Sequence, residues 1–164
     1  MIVESRPCPP VVVDDRERLP YEFPSWVPGR LPTGDYSLVG LESKVAVERK
    51  SKEDAYQSLG CDRDRFEAEI LRLSEFCYPA LVIESSLPDF LVPPPFSSMH
   101  PRAAIATLLA WSVRYRLPIF FAGDRWHAQA IVGRKPPQAR DRLIIVRVNQ
   151  NNQRGVETRH AEQC

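Results

Sequence analysis

Short apolar runs dominate the first fifty residues. Val11-Val12-Val13 ends in Asp14 and Asp15 and predicts a buried strand. The next stretch, RERLPYEFPSWVPGRLPTG, is broken by Pro20, Pro24, Pro28 and Pro32, which predicts loop with at most a single helical turn. Gly34-Asp35 turns the chain into YSLVG (36–40), and Leu41-Glu42-Ser43 turns it back into KVAVER (44–49). These two runs predict an antiparallel hairpin. Beyond residue 50 the period changes. Ser51 is placed to cap a helix over 52–59 with Glu53 and Asp54 in its first turn, and Gly60 stops it. Phe66, Ile70, Leu73 and Cys77 then recur at helical spacing behind Asp62, a second helix. PALVIES (79–85) is a continuous apolar run of the kind buried on both faces of a sheet. SLPDFLVPPPFSSMH predicts loop. Pro101 suits the first position of a long helix to about Arg116, with Ile105, Leu108, Leu109 and Val113 facing inward. LPIFFAG (117–123) predicts another buried strand, and Asp124 caps a last helix ending near Gly133.

Strand and helix alternating in this way predict an α/β domain with helices covering a sheet. Its expected span is 11–133. Residues 1–10, with PCPP, form an irregular N-terminal segment, and 134–164 a polar C-terminal extension, partly disordered for want of core formers. Within that extension RLIIVRV (142–148) fits either an added edge strand or an interaction segment.

Composition narrows the class without naming an activity. A chain of 164 residues, 43% hydrophobic and 26% charged, suits one domain with a sizeable core. Lys and Arg number 22 against 21 Asp and Glu, so net charge gives no vote for nucleic acid, and such a claim must rest on local clusters. The four cysteines, at 8, 61, 77 and 164, show neither CxxC nor zinc spacing and fit free thiols in a reducing compartment. MIVESRPCPP lacks a signal peptide's apolar core, and no later segment approaches a membrane span. The expected location is cytoplasmic, nucleoid-associated if the source is prokaryotic, with no membrane partner.

Acidic residues cluster where strands end. Asp14 and Asp15 close the first strand, Asp35 opens the hairpin, Glu48 ends its second arm, and Asp54 lies on the following helical turn. In α/β domains strand ends meet a cleft. Carboxylates gathered there repel one another, and a hard divalent cation relieves that conflict; oxygen ligands suit Mg²⁺ or Mn²⁺. Such an ion activates water and polarises a phosphodiester. Lys50, two residues beyond Glu48, projects on the same strand face, where an ammonium would orient the attacking water or stabilise charge on phosphate. Arg49 points the other way.

The spacing Asp35–x12–Glu48–x–Lys50 is the D…(D/E)xK pattern of metal-dependent nucleases. With VVVDDRE (11–17), GDYSL (34–38) and VERKSKED (47–54) in order, the chain resembles the XPF family of structure-specific DNA endonucleases. DRFEAEILRL (64–73) is similar to the family's next helix and PALVIE (79–84) to its next strand. The resemblance implies a restriction-endonuclease-like fold, a central mixed sheet flanked by helices. It assigns metal coordination to Asp35 and Glu48 assisted by Asp14, catalysis to Lys50, and an activity-related place to Arg49. Asp54 would support the site from its helix, through Lys50 or a water. Arg16 and Glu17 would shape its edge. Arg65, with Arg63 and Arg16, would contact DNA. Hydrolysis of branched or partly single-stranded DNA, in repair, recombination or mobile-element processing, is the implied task, with a homodimer or partner protein.

Two departures stand out. The stretch after residue 133 has neither the length nor the glycine-hairpin pattern of a tandem helix-hairpin-helix domain, and Glu69 stands where the family leads one to expect Gln. The rival readings are a catalytically silent DNA-binding or scaffold partner of the same fold, against which GD and ERK are both whole, and a resolvase or restriction-type nuclease. His100, His127 and His160 share no ligand spacing and read as surface or capping residues; Trp111 and Trp126 read as packing residues.

Overall fold

The structure is a computed structural model that describes residues 9–95 and 97–133. The expectations for residues 1–8 and 134–164, RLIIVRV included, lie outside the described residues. Strands β1 (Val11–Asp14), β2 (Trp26–Gly29), β3 (Tyr36–Leu38), β4 (Val45–Ser51), β5 (Tyr78–Glu84) and β6 (Ile119–Phe121) form one sheet in the order β2-β1-β3-β4-β5-β6. β1–β3 and β3–β4 pair antiparallel, while β1–β2, β4–β5 and β5–β6 pair parallel. The helices are α1 (Lys52–Gly60), α2 (Arg63–Ser74), α3 (Leu87–Phe90), α4 (Pro101–Arg114) and α5 (Arg125–Val132). This is the expected mixed sheet flanked by helices.

Strand alternation sorts the core into two layers. Ala46 of β4 with Leu81 and Ile83 of β5 face a cluster completed by Tyr56 and Leu59 of α1, Phe66, Ile70 and Leu73 of α2, and Leu108 and Trp111 of α4. Val45, Val47, Ala80 and Val82 face the opposite cluster, with Val11, Val13, Tyr21, Tyr36 and, from α5, Ala128 and Val132. Hence Glu48 and Lys50, in step with Ala46, leave the sheet toward α2. Arg49 leaves it on the far side.

The caps predicted at Ser51 and Asp124 hold, and His100 caps α4 ahead of Pro101. Ser51 accepts from the N–H of Asp54, His100 from that of Arg102, and Asp124 from that of His127. Asp62 occupies the cap position of α2 but makes no side-chain cap bond; its carboxylate pairs with Arg65 instead.

Four expectations need correction. The proline-rich stretch contains a strand, β2, because β1 offers an open edge and an outermost strand tolerates Pro28, which has no N–H to donate. SLPDF contains one helical turn, α3, capped by Ser86 and anchored by buried Phe90, which stacks edge-on against Phe121. On α4 the buried face is Ala104, Leu108 and Trp111, so Leu109 (61% exposed) and Val113 (81%) point to solvent. Trp111 is bulky enough to set the rotation. Finally β6 is half-buried rather than buried, as the outermost strand on its side. Among the described residues no helix is long and apolar enough to cross a membrane.

Candidate active site

The site begins with a glycine. Gly34 has φ +78°, and a Cβ there would sit 3.0 Å from the Val47 carbonyl oxygen, so only glycine allows this close approach. The approach lays Asp35 against β4. Its N–H donates to Val47 O (2.8 Å), and its Oδ2 accepts from Arg49 N–H (2.8 Å), so Asp35 is bonded to the backbone on both sides of Glu48. The GD and ERK segments are joined by this clasp.

Glu48 is 4% exposed, and its Oε1 accepts from Lys50 Nζ at 2.7 Å. Lys50 Nζ also lies 3.6 Å from Glu69 Oε2 and 4.9 Å from the centre of the Phe66 ring, both on α2. Burial, then the Asp35 charge, push the Glu48 carboxyl well above the usual range. Asp35 is pushed up to about 6, chiefly by burial, with Glu17 and Glu69 adding repulsion and the Arg49 N–H and Lys50 opposing them. Burial works against the Lys50 ammonium, but Glu48 and Glu69 outweigh it and hold its pKa above the usual lysine value. Lys50 is therefore a cation at neutral pH, suited to stabilising negative charge rather than to accepting a proton.

Arg49 runs the other way, as strand alternation requires. Its side chain, 8% exposed, lies between Glu84 (Nε to Oε1, 3.2 Å) and Glu17 (3.8 Å) and 5.7 Å from the centre of the Tyr21 ring. Nε is buried without an aligned hydrogen bond, so this attachment is mainly coulombic. Glu84 also accepts from the Tyr21 hydroxyl (2.7 Å) and pairs with Arg125 of α5 (3.3 Å). Arg49 thus knits β4, β5 and the 17–21 loop together beneath the site.

Two expected residues have well-defined partners of their own. Asp14, 3% exposed, accepts four hydrogen bonds, from Arg16 N–H, Nε and Nη2 and from Leu31 N–H. Burial raises its pKa, yet these bonds together bring it below the usual carboxylate value. A carboxylate with so many donors braces the corner after β1. Asp54 accepts from the Ser51 hydroxyl (2.8 Å) and returns its own N–H to the same oxygen, which places it in the cap of α1. Of the arginines, Arg16 is held by Asp14 and Leu31 O, and Arg63 bonds Thr107 across to α4 and lies over Trp111. Arg65, paired with Asp62, keeps its side chain 78% exposed.

Sequence reasoning missed two contributors. Glu69 is legible only as a departure from the family pattern, although its three-residue spacing from Phe66 puts both on the α2 face toward β4. Glu84 looks like the polar end of an apolar strand, and nothing local shows that it meets Arg49.

Could a hard cation fit here? Among the described residues no group of three His, Cys, Asp or Glu side chains is arranged to hold a metal ion. Mg²⁺, however, is commonly held through one or two carboxylates with water and substrate phosphate completing the shell. Asp35 and Glu48 supply hard oxygens whose mutual repulsion such an ion would relieve, so the donor set fits.

Comparisons with known proteins bear on the family and the fold. The ERCC4 domain pattern matches residues 13–133. Among solved structures, XPF from Aeropyrum pernix is similar at 25% identity and a TM-score of 0.61, over 76% of this chain and 61% of that one. The same organism's XPF in complex with DNA is similar at 26% identity and a TM-score of 0.60, again over 76% and 61%. This chain therefore spans under two thirds of the length of either. No curated protein matches it. A glycine-clasped aspartate beside an E-R-K strand end, on this sheet and within this match, makes the chain a member of the ERCC4 domain family with the fold of an XPF-type nuclease domain.

Proposed function

We propose that this domain is a divalent-metal-dependent endonuclease that hydrolyses phosphodiester bonds in DNA. The carrying observation is the pair of buried carboxylates, Asp35 and Glu48, with the Lys50 ammonium bonded to Glu48 at 2.7 Å. Family membership and the likeness to an XPF solved with DNA support the choice of substrate.

Asp35 and Glu48 would hold Mg²⁺ or Mn²⁺. When bound, the ion supplies Lewis acidity and charge neutralisation at the scissile phosphate. The chain's own residues do the rest. Backbone bonds from Val47 and Arg49 fix Asp35, so its carboxylate needs no reorganisation when substrate arrives. Lys50, kept cationic, donates hydrogen bonds to negative charge growing on the phosphoryl oxygens or to the attacking water. Arg49 serves from beneath by fixing the strand that carries both. Arg65, whose side chain is 78% exposed beside Asp62 on α2, is the candidate contact for a backbone phosphate.

The finer reading is cleavage at branched or single-strand/duplex junctions in repair, recombination or mobile-element processing, and it rests on family membership. Pairing with a second copy or a partner protein is supported by the apolar stripe on α4, where Leu109 and Val113 stand in solvent.

The test is a cleavage assay on labelled forked, flap and linear DNA, with and without Mn²⁺, using Lys50→Ala as control. Expected are Mn²⁺-dependent nicks near the branch and a loss of rate of about 100-fold or more in the variant. Equal cutting by Lys50→Ala, or none by wild type under any condition, contradicts the proposal.

A further inference from the structure

On the α2 side of β4 the charges do not balance in pairs. Asp35, Glu48 and Glu69 bring three carboxylates toward one ammonium, that of Lys50. Fully ionised, this group carries two excess negative charges, which is the charge a divalent cation cancels. The arrangement sets Lys50 a problem. Its short bond is to Glu48 Oε1, on a carboxylate that would also hold the cation. With a doubly charged neighbour drawing on that carboxylate, the ammonium would be repelled by the cation and would need another anionic partner. Glu69 Oε2 lies 3.6 Å from the same nitrogen, too long for a hydrogen bond as placed but within one small movement of one. The Phe66 ring, one helical turn earlier, already flanks the ammonium at 4.9 Å from its centre.

We propose that Glu69 is a positioning residue that takes over the Lys50 ammonium when Glu48 engages a divalent cation, so that metal and lysine occupy the site together. The inference rests on the nuclease reading of the preceding section. Charge, not hydrogen bonding alone, is what Glu69 contributes: an amide at this position accepts from the ammonium but leaves one carboxylate fewer to offset the cation. The geometry also fixes the direction of the effect. Glu69 is half-buried on a rigid helix and does not need to touch DNA, so losing its charge should slow the chemical step more than it weakens substrate binding.

The experiment compares the full chain with Glu69→Gln and Glu69→Asp in two readouts. The first is the Lys50 ammonium resonance in ¹⁵N NMR, assigned by its loss in Lys50→Arg, recorded without DNA as Ca²⁺ is titrated in. The second is kcat and KM for Mn²⁺-dependent cleavage of a flap DNA. The expected result is a Lys50 signal that persists in Ca²⁺-saturated wild type and broadens beyond detection in Ca²⁺-saturated Glu69→Gln. The kcat of Glu69→Gln should fall about 10–100-fold with little change in KM, as for other groups that orient a metal site's residues. Glu69→Asp should recover part of both. If Glu69→Gln keeps the resonance and the wild-type kcat, the positioning role is overturned while the nuclease reading stands. If wild type neither responds to Ca²⁺ nor cuts with Mn²⁺, both are overturned. Removing one acid from a crowd of acids relieves repulsion, so Glu69→Gln should fold at least as well as wild type, which a thermal melt verifies.

Discussion

Asp35 shows how a proposed catalytic site and a stable fold pull apart at a single residue. Its carboxyl is raised to about 6. A carboxylate raised in this way binds its proton more tightly in the folded chain than in the unfolded one. Stability therefore falls as pH climbs from about 4 to about 6 and stays lower above that window. Asp35→Asn removes the loss and keeps an oxygen for the Arg49 N–H. In chelator, at about pH 7.5, this variant should exceed wild type by on the order of 1–3 kcal/mol, with the gap closing near pH 4. Urea unfolding at both pH values measures it; equal stability at the higher pH contradicts the charge assignment. Arg49 gives the complementary case. Its guanidinium is enclosed by Glu17 and Glu84, so Arg49→Ala strands buried carboxylates and should cost about 3 kcal/mol as well as activity. Lys50→Ala likewise strands the buried Glu48 carboxylate and should lower the melting temperature as well as activity. An Arg49→Ala protein as stable as wild type would move Arg49 from bracing to chemistry. These residues differ in how far sequence reveals them. Asp35, Glu48 and Lys50 are legible because alternation and spacing fix their faces. The bracing bonds of Asp14 are not legible, because its identity says nothing of Arg16 and the Leu31 N–H waiting for it.

At the scale of elements, legibility follows the source of the stabilising interactions. The hairpin, α1, α2, β5 and α5 announce themselves through local signals: turn residues, caps and periodicity. β2 does not, because its pairing comes from the open edge of β1, far from anything its own prolines record. The rotation of α4 is hidden for a similar reason. Ile105, Leu108, Leu109 and Val113 all look apolar enough to be core, and only the volume of Trp111 against Phe66 decides which go inside. The residues left out carry a prediction. Leu109→Asp with Val113→Asp should leave unfolding free energy within about 0.5 kcal/mol of wild type, as for surface positions. If α4 is a pairing surface, the same change should convert a species of twice the chain mass to monomer in sedimentation velocity. A wild-type monomer at high concentration, or a dimer that survives the double change, contradicts that use of the helix.

Across the whole molecule the sheet is the instrument that brings distant residues to one spot. Antiparallel β1–β3–β4 delivers the 14–17 corner, Asp35 and the Glu48–Lys50 strand end side by side. Parallel β5 then leaves α2 free to lay Phe66 and Glu69 over Lys50. The two faces divide the labour, with the proposed cation and phosphate chemistry on the α2 side and Arg49, Glu84, Tyr21 and Arg125 bracing the other. Motif spacing makes the first half visible, since three segments in order imply a shared site. The second half depends on long-range contacts that no single segment contains. The proposed activity requires Asp35 and Glu48 to hold one divalent cation. Calorimetric titration of Mn²⁺ into the metal-free chain and into Glu48→Gln at neutral pH tests this most directly. Saturable binding to wild type, weakened about tenfold or more by the single change, is the predicted result. Undiminished Mn²⁺ binding by a folded Glu48→Gln protein would contradict it.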